Sequence, residues 1–117
     1  MRDPATLLPL TSVMFHVLLS LSDADRHGYG ILKEIEARTG GEVTLSTGTL
    51  YGVIKRALSD GLIAESRRRP PAVEDDERRR YYRLTELGRQ VVNAEAKRLQ
   101  QLVASAWAKR ILRRLEQ

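Results

Sequence analysis

Apolar positions recur at helical spacing in successive runs along this chain, and the breaks between the runs are short and polar. In the first run Leu10, Val13, Met14, Val17, Leu18 and Leu21 repeat every three or four residues, and Pro9 suits the first position of such a helix. Ser22-Asp23-Ala24-Asp25-Arg26-His27-Gly28 then predicts a turn. A second helix follows, with Tyr29, Ile31, Leu32, Ile35 and Ala37 on its packed side and Lys33, Glu34, Glu36 and Arg38 toward water; Gly40-Gly41 ends it as a left-handed cap. Glu42-Val43-Thr44-Leu45 is rich in β-formers and predicts an extended linker or a tiny strand.

The stretch Ser46 to Leu58 has the clearest two-sided pattern. On a helix Leu50, Ile54, Ala57 and Leu58 share one face, while Thr47, Tyr51 and Lys55 share the opposite one. Ser46 or Thr47 supplies an oxygen for the orphan amides of the first turn, and Gly61 supplies a stop. An apolar back is thereby joined to a front of hydroxyls, one aromatic ring and cations, suited to a polyanion.

Leu62-Ile63-Ala64-Glu65-Ser66-Arg67 and Arg80-Tyr81-Tyr82-Arg83-Leu84-Thr85 read as strands of a hairpin, with Pro70-Pro71 and the acidic run Glu74-Asp75-Asp76-Glu77 in the intervening loop. From Thr85, a natural N-cap, the rest of the chain reads as one long helix. Its apolar positions are Leu87, Val91, Val92, Leu99, Leu102, Val103, Ala106, Trp107, Ile111 and Leu115. A continuous helix of this kind spans roughly 45 Å at about 1.5 Å per residue, more than a small domain covers by itself. The second half of the stripe therefore calls for a partner. A second copy is the economical one, because two-fold pairing lets identical stripes bury each other. Folding back onto its own domain, or fraying where Arg110, Arg113 and Arg114 crowd, is the alternative. On this reading Leu99, Leu102, Val103, Ala106, Trp107 and Ile111 are the dimerisation residues.

The predicted fold class is α+β, mostly α. The order helix, helix, short extended piece, helix, hairpin is that of a winged helix-turn-helix, here carrying a long C-terminal dimerisation helix. Periodicity alone leaves other small α+β folds open. The division follows as 1–84 for a DNA-binding domain and 85–117 for the dimerisation helix.

Charge narrows the partner. The 117 residues carry 20 Lys and Arg against 15 Asp and Glu, a net +5, with a sequence pI near 10.0. Such a surplus favours nucleic acid or another anionic surface over an ordinary soluble face. Arg67-Arg68-Arg69 and Arg78-Arg79-Arg80 bracket the hairpin loop, so pairing brings like charges side by side, where phosphate would relieve the repulsion. The loop's own acidic run competes for that role. Cysteine is absent, which excludes disulfides, thiol catalysis and cysteine metal sites. No apolar run approaches the ~20 residues of a membrane span, and the first residues lack a signal peptide's apolar core, so a cytoplasmic protein without membrane contact is expected. His16 lies in an apolar helix and His27 in a turn, with no nucleophile motif, phosphate loop or metal spacing around them; neither an enzyme nor a cofactor is expected.

Four motifs carry a resemblance. His27-Gly28-Tyr29-Gly30, Gly48-Thr49-Leu50-Tyr51, Asp60-Gly61-Leu62-Ile63 and Arg80-Tyr81-Tyr82-Arg83-Leu84-Thr85-Glu86-Leu87-Gly88-Arg89 follow one another in the order and spacing of PadR-family transcriptional regulators. With one C-terminal helix in place of a larger domain, the chain resembles the shorter branch of that family. It departs at Gly52, where the family usually has proline, and at Ala57-Leu58, where a Leu-Glu pair is common. The resemblance implies a dimeric repressor that binds a palindromic operator in double-stranded DNA, and it singles out Tyr51 as a DNA-contacting residue. It also implies a small hydrophobic or aromatic effector, with Trp107 as a candidate pocket wall; plain packing between paired helices is the other role for that ring.

The expected DNA-binding set is Ser46, Thr47, Thr49, Tyr51, Lys55, Arg56, Arg67, Arg68, Arg69, Arg78, Arg79 and Arg80. The helix front would meet bases and phosphates in a major groove, and the arginines would hold the backbone. A winged-helix module that binds protein instead of DNA is the competing function.

Overall fold

The computed structural model describes residues 2–67 and 79–113. A single 3-10 turn, Pro4–Leu7, leads to helix α1, Ser12–Ser20. The Thr11 hydroxyl accepts from the Met14 N–H at 3.1 Å and so caps α1. Pro9, which the sequence suggests as the first helical residue, therefore lies outside the helix. Helix α2, Gly28–Arg38, starts from His27, whose Nδ1 accepts from the Gly30 N–H at 3.0 Å. It ends in a Schellman turn, with Gly40 at φ 63° and the Gly41 N–H donating to the Glu36 carbonyl at 2.8 Å. Residues 42–45 run as an irregular linker without strand pairing, tied back by the Val43 N–H donating to Thr39 Oγ1.

Helix α3, Thr47–Ser59, is capped by Ser46, whose Oγ accepts from the Thr49 N–H at 3.1 Å. Gly61, at φ 76°, closes its other end, with the Leu62 N–H donating to the Ala57 carbonyl at 2.9 Å. Strands β1, Arg26–His27, β2, Ile63–Ser66, and β3, Tyr81–Leu84, form an antiparallel sheet in the order β1-β3-β2. In this sheet Arg26 pairs with Tyr82, His27 with Tyr81, and Ser66 also with Tyr81. The polar residues read as a turn thus hold a two-residue strand. Two residues are too few to show alternation, and only pairing with β3 defines the element.

Leu18, Ile31, Ile35, Leu50 and Ile54 from α1, α2 and α3 meet in one buried cluster, closed by Ile63, Tyr82 and Leu84 of the sheet. Full burial of such side chains contributes about 1.5–3 kcal/mol each, which fixes the back of α3 and hence the direction of its front. Leu58 is exposed while Ala57 is buried, so the packed edge of α3 is narrower by one residue than its pattern suggests. Tyr29, expected on the packed side of α2, is 56% exposed, and Ala37 is also on the surface. Ile31 and Ile35 already fill the α2 seam.

Helix α4 is Glu86–Ala108. Thr85 joins it to the end of α3: its hydroxyl accepts from the Gly88 N–H at 3.0 Å and donates to the Gly61 carbonyl at 2.6 Å. Gly88 touches the Leu62 backbone so closely that a Cβ there would lie 2.9 Å from Leu84 Cδ1 and overlap the Leu62 carbonyl. Val91 enters the shared core. Glu95, buried on the same side, is held by Arg98 through contacts of 2.8 and 2.9 Å and by the backbone N–H of Leu10. Arg98 beside it, aided by that N–H, holds the Glu95 carboxyl below its ordinary range despite burial.

The continuous helix to the end of the chain is not observed. Arg110 adopts φ 62°, and the Ile111 N–H turns back to the Ala106 carbonyl at 3.0 Å, so α4 stops at Ala108. At about 1.5 Å per residue its 23 residues span ~35 Å instead of 45 Å. Ile111 consequently lies beyond the helix, and Leu115 falls outside the described residues.

Candidate nucleic-acid interface

The buried back of α3 leaves Thr47, Tyr51 and Lys55 aligned on its outer face at four-residue spacing, all exposed. Thr49 is exposed as well, but its Oγ1 accepts from the Ser46 hydroxyl at 3.0 Å. Ser46 is therefore first a cap, and its hydroxyl is engaged within the helix start. Arg56 projects from the next row round the helix, with Gly48 and Gly52, toward the N-terminal segment.

Tyr51 leans across to the start of α2. A Cβ on Gly28 would fall 2.6 Å from Tyr51 Cζ, so glycine at this position makes room for the ring. Tyr51 remains 46% exposed. Together with His27, Gly28, Tyr29, Arg79, Arg80 and Tyr82 it lines a cleft of about 320 Å³ between α3, the start of α2 and the sheet. The Tyr82 hydroxyl is pushed above its usual pKa, first by burial and then by the neighbouring Tyr51 and Glu65.

Of the hairpin arginines, Arg67, Arg79 and Arg80 are described and exposed. Ser66 opposes Tyr81, so Arg67 and Arg80 follow directly on the last paired positions of the ladder. Arg80 meets Glu65 at 3.3 Å in an exposed pair that contributes little and competes weakly with phosphate. Arg68, Arg69 and Arg78, and the acidic run 74–77, lie outside the described residues.

Arg79 Nη1 lies 2.8 Å from His27 Nε2. His27 thus joins the start of α2, through the Gly30 N–H that its Nδ1 accepts, to the Arg79 guanidinium at the base of the wing. Lys33 Nζ stands 5.4 Å over the ring of Tyr29, bringing another cation to the same edge. His27, Tyr29 and Tyr82 were absent from the residues expected at this site. The motif His27-Gly28-Tyr29-Gly30 held the signal, but without β1 it reads only as a turn.

Residues 17–94 match the sequence profile of the Transcriptional regulator PadR-like family. The chain belongs to that family. Among solved structures, a transcriptional regulator from Clostridium thermocellum is 26% identical, with a TM-score of 0.66 over 83% of this chain and 87% of that one. A PadR family transcription regulator from hypervirulent Clostridium difficile R20291 is 25% identical, with a TM-score of 0.68 over 82% and 95%. Bacillus subtilis PadR in complex with operator DNA shares the fold at 19% identity, with a TM-score of 0.59 over 72% of this chain and 46% of that one. No individually curated protein is similar enough in sequence to count as a relative. This PadR-like chain is thus a winged-helix transcriptional regulator, and among its described residues no helix is long and apolar enough to cross a membrane.

On α4, Leu102, Val103 and Trp107 are exposed, while Leu99 and Ala106 are half-buried, so the stripe expected to pair lies open on a single chain. Trp107 borders a separate cleft with Ala108, Arg110, Leu112 and Arg113. Leu112, exposed beside the helix end, adds apolar surface that the helical pattern did not include.

Proposed function

We propose that this regulator binds double-stranded DNA as a homodimer and represses transcription from a palindromic operator. The observation that carries the reading is the shared outward side of the α3 front and the described wing arginines. Tyr51 and Arg79 line one cleft, and Thr47 and Lys55 continue from it along the helix. In a major groove the first turns of α3 meet base edges, with Thr47, Thr49, Tyr51 and Lys55 as the reading groups and Arg56 at the rim. Arg67, Arg79 and Arg80, with their sequence neighbours Arg68, Arg69 and Arg78, hold phosphates, and Ser46 acts by fixing the helix start.

Two copies place two such helices about one DNA turn, ~34–36 Å, apart on a two-fold site. Leu99, Leu102, Val103, Ala106 and Trp107 bury one another in that arrangement, with Ile111 and Leu112 at the margin; Trp107 serves as its large aromatic filler. We assign residues 1–84 to DNA binding and residues 85–117 to pairing, with the first turns of α4 also completing the core through Val91. Repression follows the resemblance to the family, as does release by a small effector.

An electrophoretic shift on the DNA upstream of the protein's own coding sequence, run over a salt series, tests the reading. Binding at nanomolar protein with a steep salt dependence is expected. Failure on every upstream fragment would favour a winged-helix module that binds protein.

A further inference from the structure

The segment that leads from α1 into β1, residues 21–25, carries an acidic side chain to which the DNA reading gives no role. Asp25 Oδ2 accepts from the Ser66 hydroxyl at 2.5 Å, across 41 positions of sequence. Ser66 is the last residue of β2, and Asp25 directly precedes β1. These are the outer strands of the sheet, each paired with β3 and not with the other, so this side-chain bond is a tie that the backbone ladder does not supply. Both residues are half-buried, and water competes with the bond only in part.

The same segment is fixed to the helical body. Arg26 Nε donates to the carbonyl of Ser20, at the end of α1, at 2.7 Å, and its Nη2 meets Asp23 at 3.2 Å. His27, next along the chain, meets Arg79 Nη1 at 2.8 Å. Residues 25–27 therefore touch both sides of the wing base: Asp25 the end of β2 from which Arg67 continues, and His27 the approach to β3 that carries Arg79 and Arg80. By charge alone an aspartate here works against DNA, because it lowers the positive potential around the wing arginines. By position it does the reverse, since a wing already held in one orientation loses less freedom when its arginines close on phosphate.

We infer that Asp25 is a positioning residue for DNA binding: through Ser66 it fixes the base of the wing, and with it the direction in which Arg67 leaves the sheet toward phosphate. The inference rests on the assignment of the wing arginines to DNA. What Asp25 supplies to Ser66 is an acceptor oxygen, and asparagine can supply the same acceptor through its Oδ1, whereas alanine cannot. Both substitutions remove the same negative charge. They therefore separate position from charge.

Fluorescence anisotropy of the full-length natural protein, Asp25→Asn, Asp25→Ala and Ser66→Ala on the upstream operator duplex, over a salt series, tests the inference. Asp25→Ala should bind about tenfold more weakly than Asp25→Asn, the scale of one charge-assisted contact, with the slope of log affinity against log salt lower by about 1. Asp25→Asn should bind at least as tightly as the natural chain. Ser66→Ala, which changes no charge, should weaken binding to a similar extent as Asp25→Ala, and the double variant should lose nothing further. Equal binding by the two Asp25 variants, or losses that add in the double variant, would overturn the inference. A ¹H–¹⁵N heteronuclear NOE recorded without DNA reads the same tie directly: Asp25→Ala should lower the values at Arg67 and Arg79 while those at Ile54 and Val91 hold, which also shows the fold intact. Unchanged values at Arg67 would overturn the inference. Absence of binding by the natural protein overturns the operator reading and the inference with it, whereas binding by the natural protein with no split between the variants overturns the inference alone.

Discussion

Tyr51 rests against the backbone of Gly28, with its Cζ 2.6 Å from where a Cβ at that position would stand. This contact ties α3 to the start of α2 and sets where the Tyr51 hydroxyl points. Gly28→Ala should push the exposed ring aside at a stability cost under ~1 kcal/mol, because a side chain half in water can rotate away. DNA affinity should nevertheless fall about five- to tenfold. Fluorescence anisotropy and thermal melts on the same variant separate the two effects; unchanged affinity would mean that Gly28 does not position Tyr51 for DNA.

Gly88 shows the opposite balance, since the obstacle there is the Leu62 backbone and not a movable ring. Gly88→Ala should destabilise the fold by about 2–3 kcal/mol, as overpacking against a fixed wall does. Urea unfolding reads this directly, and a loss below ~0.5 kcal/mol would show that α4 can shift away from the sheet.

Arg79, which lines the cleft beside Tyr51, is assigned to a phosphate contact. Alanine at Arg79 should weaken binding to all sequences and lower the slope of log affinity against log salt by about 1. A variant with an unchanged slope would remove the wing base from the interface.

Glu95 makes stability depend on pH with a definite sign. Its folded carboxyl titrates below the ordinary range, so its contribution is present above the unfolded pKa and is lost as pH falls through the lowered folded value. Glu95→Gln should therefore be the less stable protein near neutrality, with the gap to the natural chain closing in acid. Urea midpoints across an acid series check this; a gap that stays constant with pH would exclude a charged Glu95 as its source.

The open stripe on α4 gives a prediction about mass. Val103→Asp places a charge in the proposed seam and should convert a two-chain species to a single chain in sedimentation at micromolar protein, with helix content retained. A natural chain that sediments as one copy at that concentration would contradict pairing through α4.

Much of this fold is legible because its decisive features are local. Ser46 and Thr85 cap their helices, Gly61 closes α3 in a left-handed turn, and Leu50, Ile54 and Ala57 repeat at helical spacing. What the pattern misses depends on contacts distant in sequence or on an unusual residue at a usual position. Strand β1 exists only because His27 meets Tyr81, and no two-residue polar segment announces that pairing. The end of α4 rests on an arginine in a left-handed conformation where glycine is the ordinary marker. Glu95 sits in an apolar seam because Arg98 and the Leu10 backbone satisfy it, a solution invisible to hydropathy. The site divides likewise: Tyr51 and Lys55 follow from the face of α3, whereas His27 and Tyr29 join them only through the fold.

The measurement closest to the central claim is the affinity of the natural protein and of Tyr51→Ala for the upstream operator and for a scrambled duplex of equal length, at one salt concentration. If α3 reads DNA, Tyr51→Ala should lose about tenfold or more of the preference for operator while its affinity for the scrambled duplex changes little. Equal discrimination by the two proteins would contradict the assignment of α3 as the reading helix.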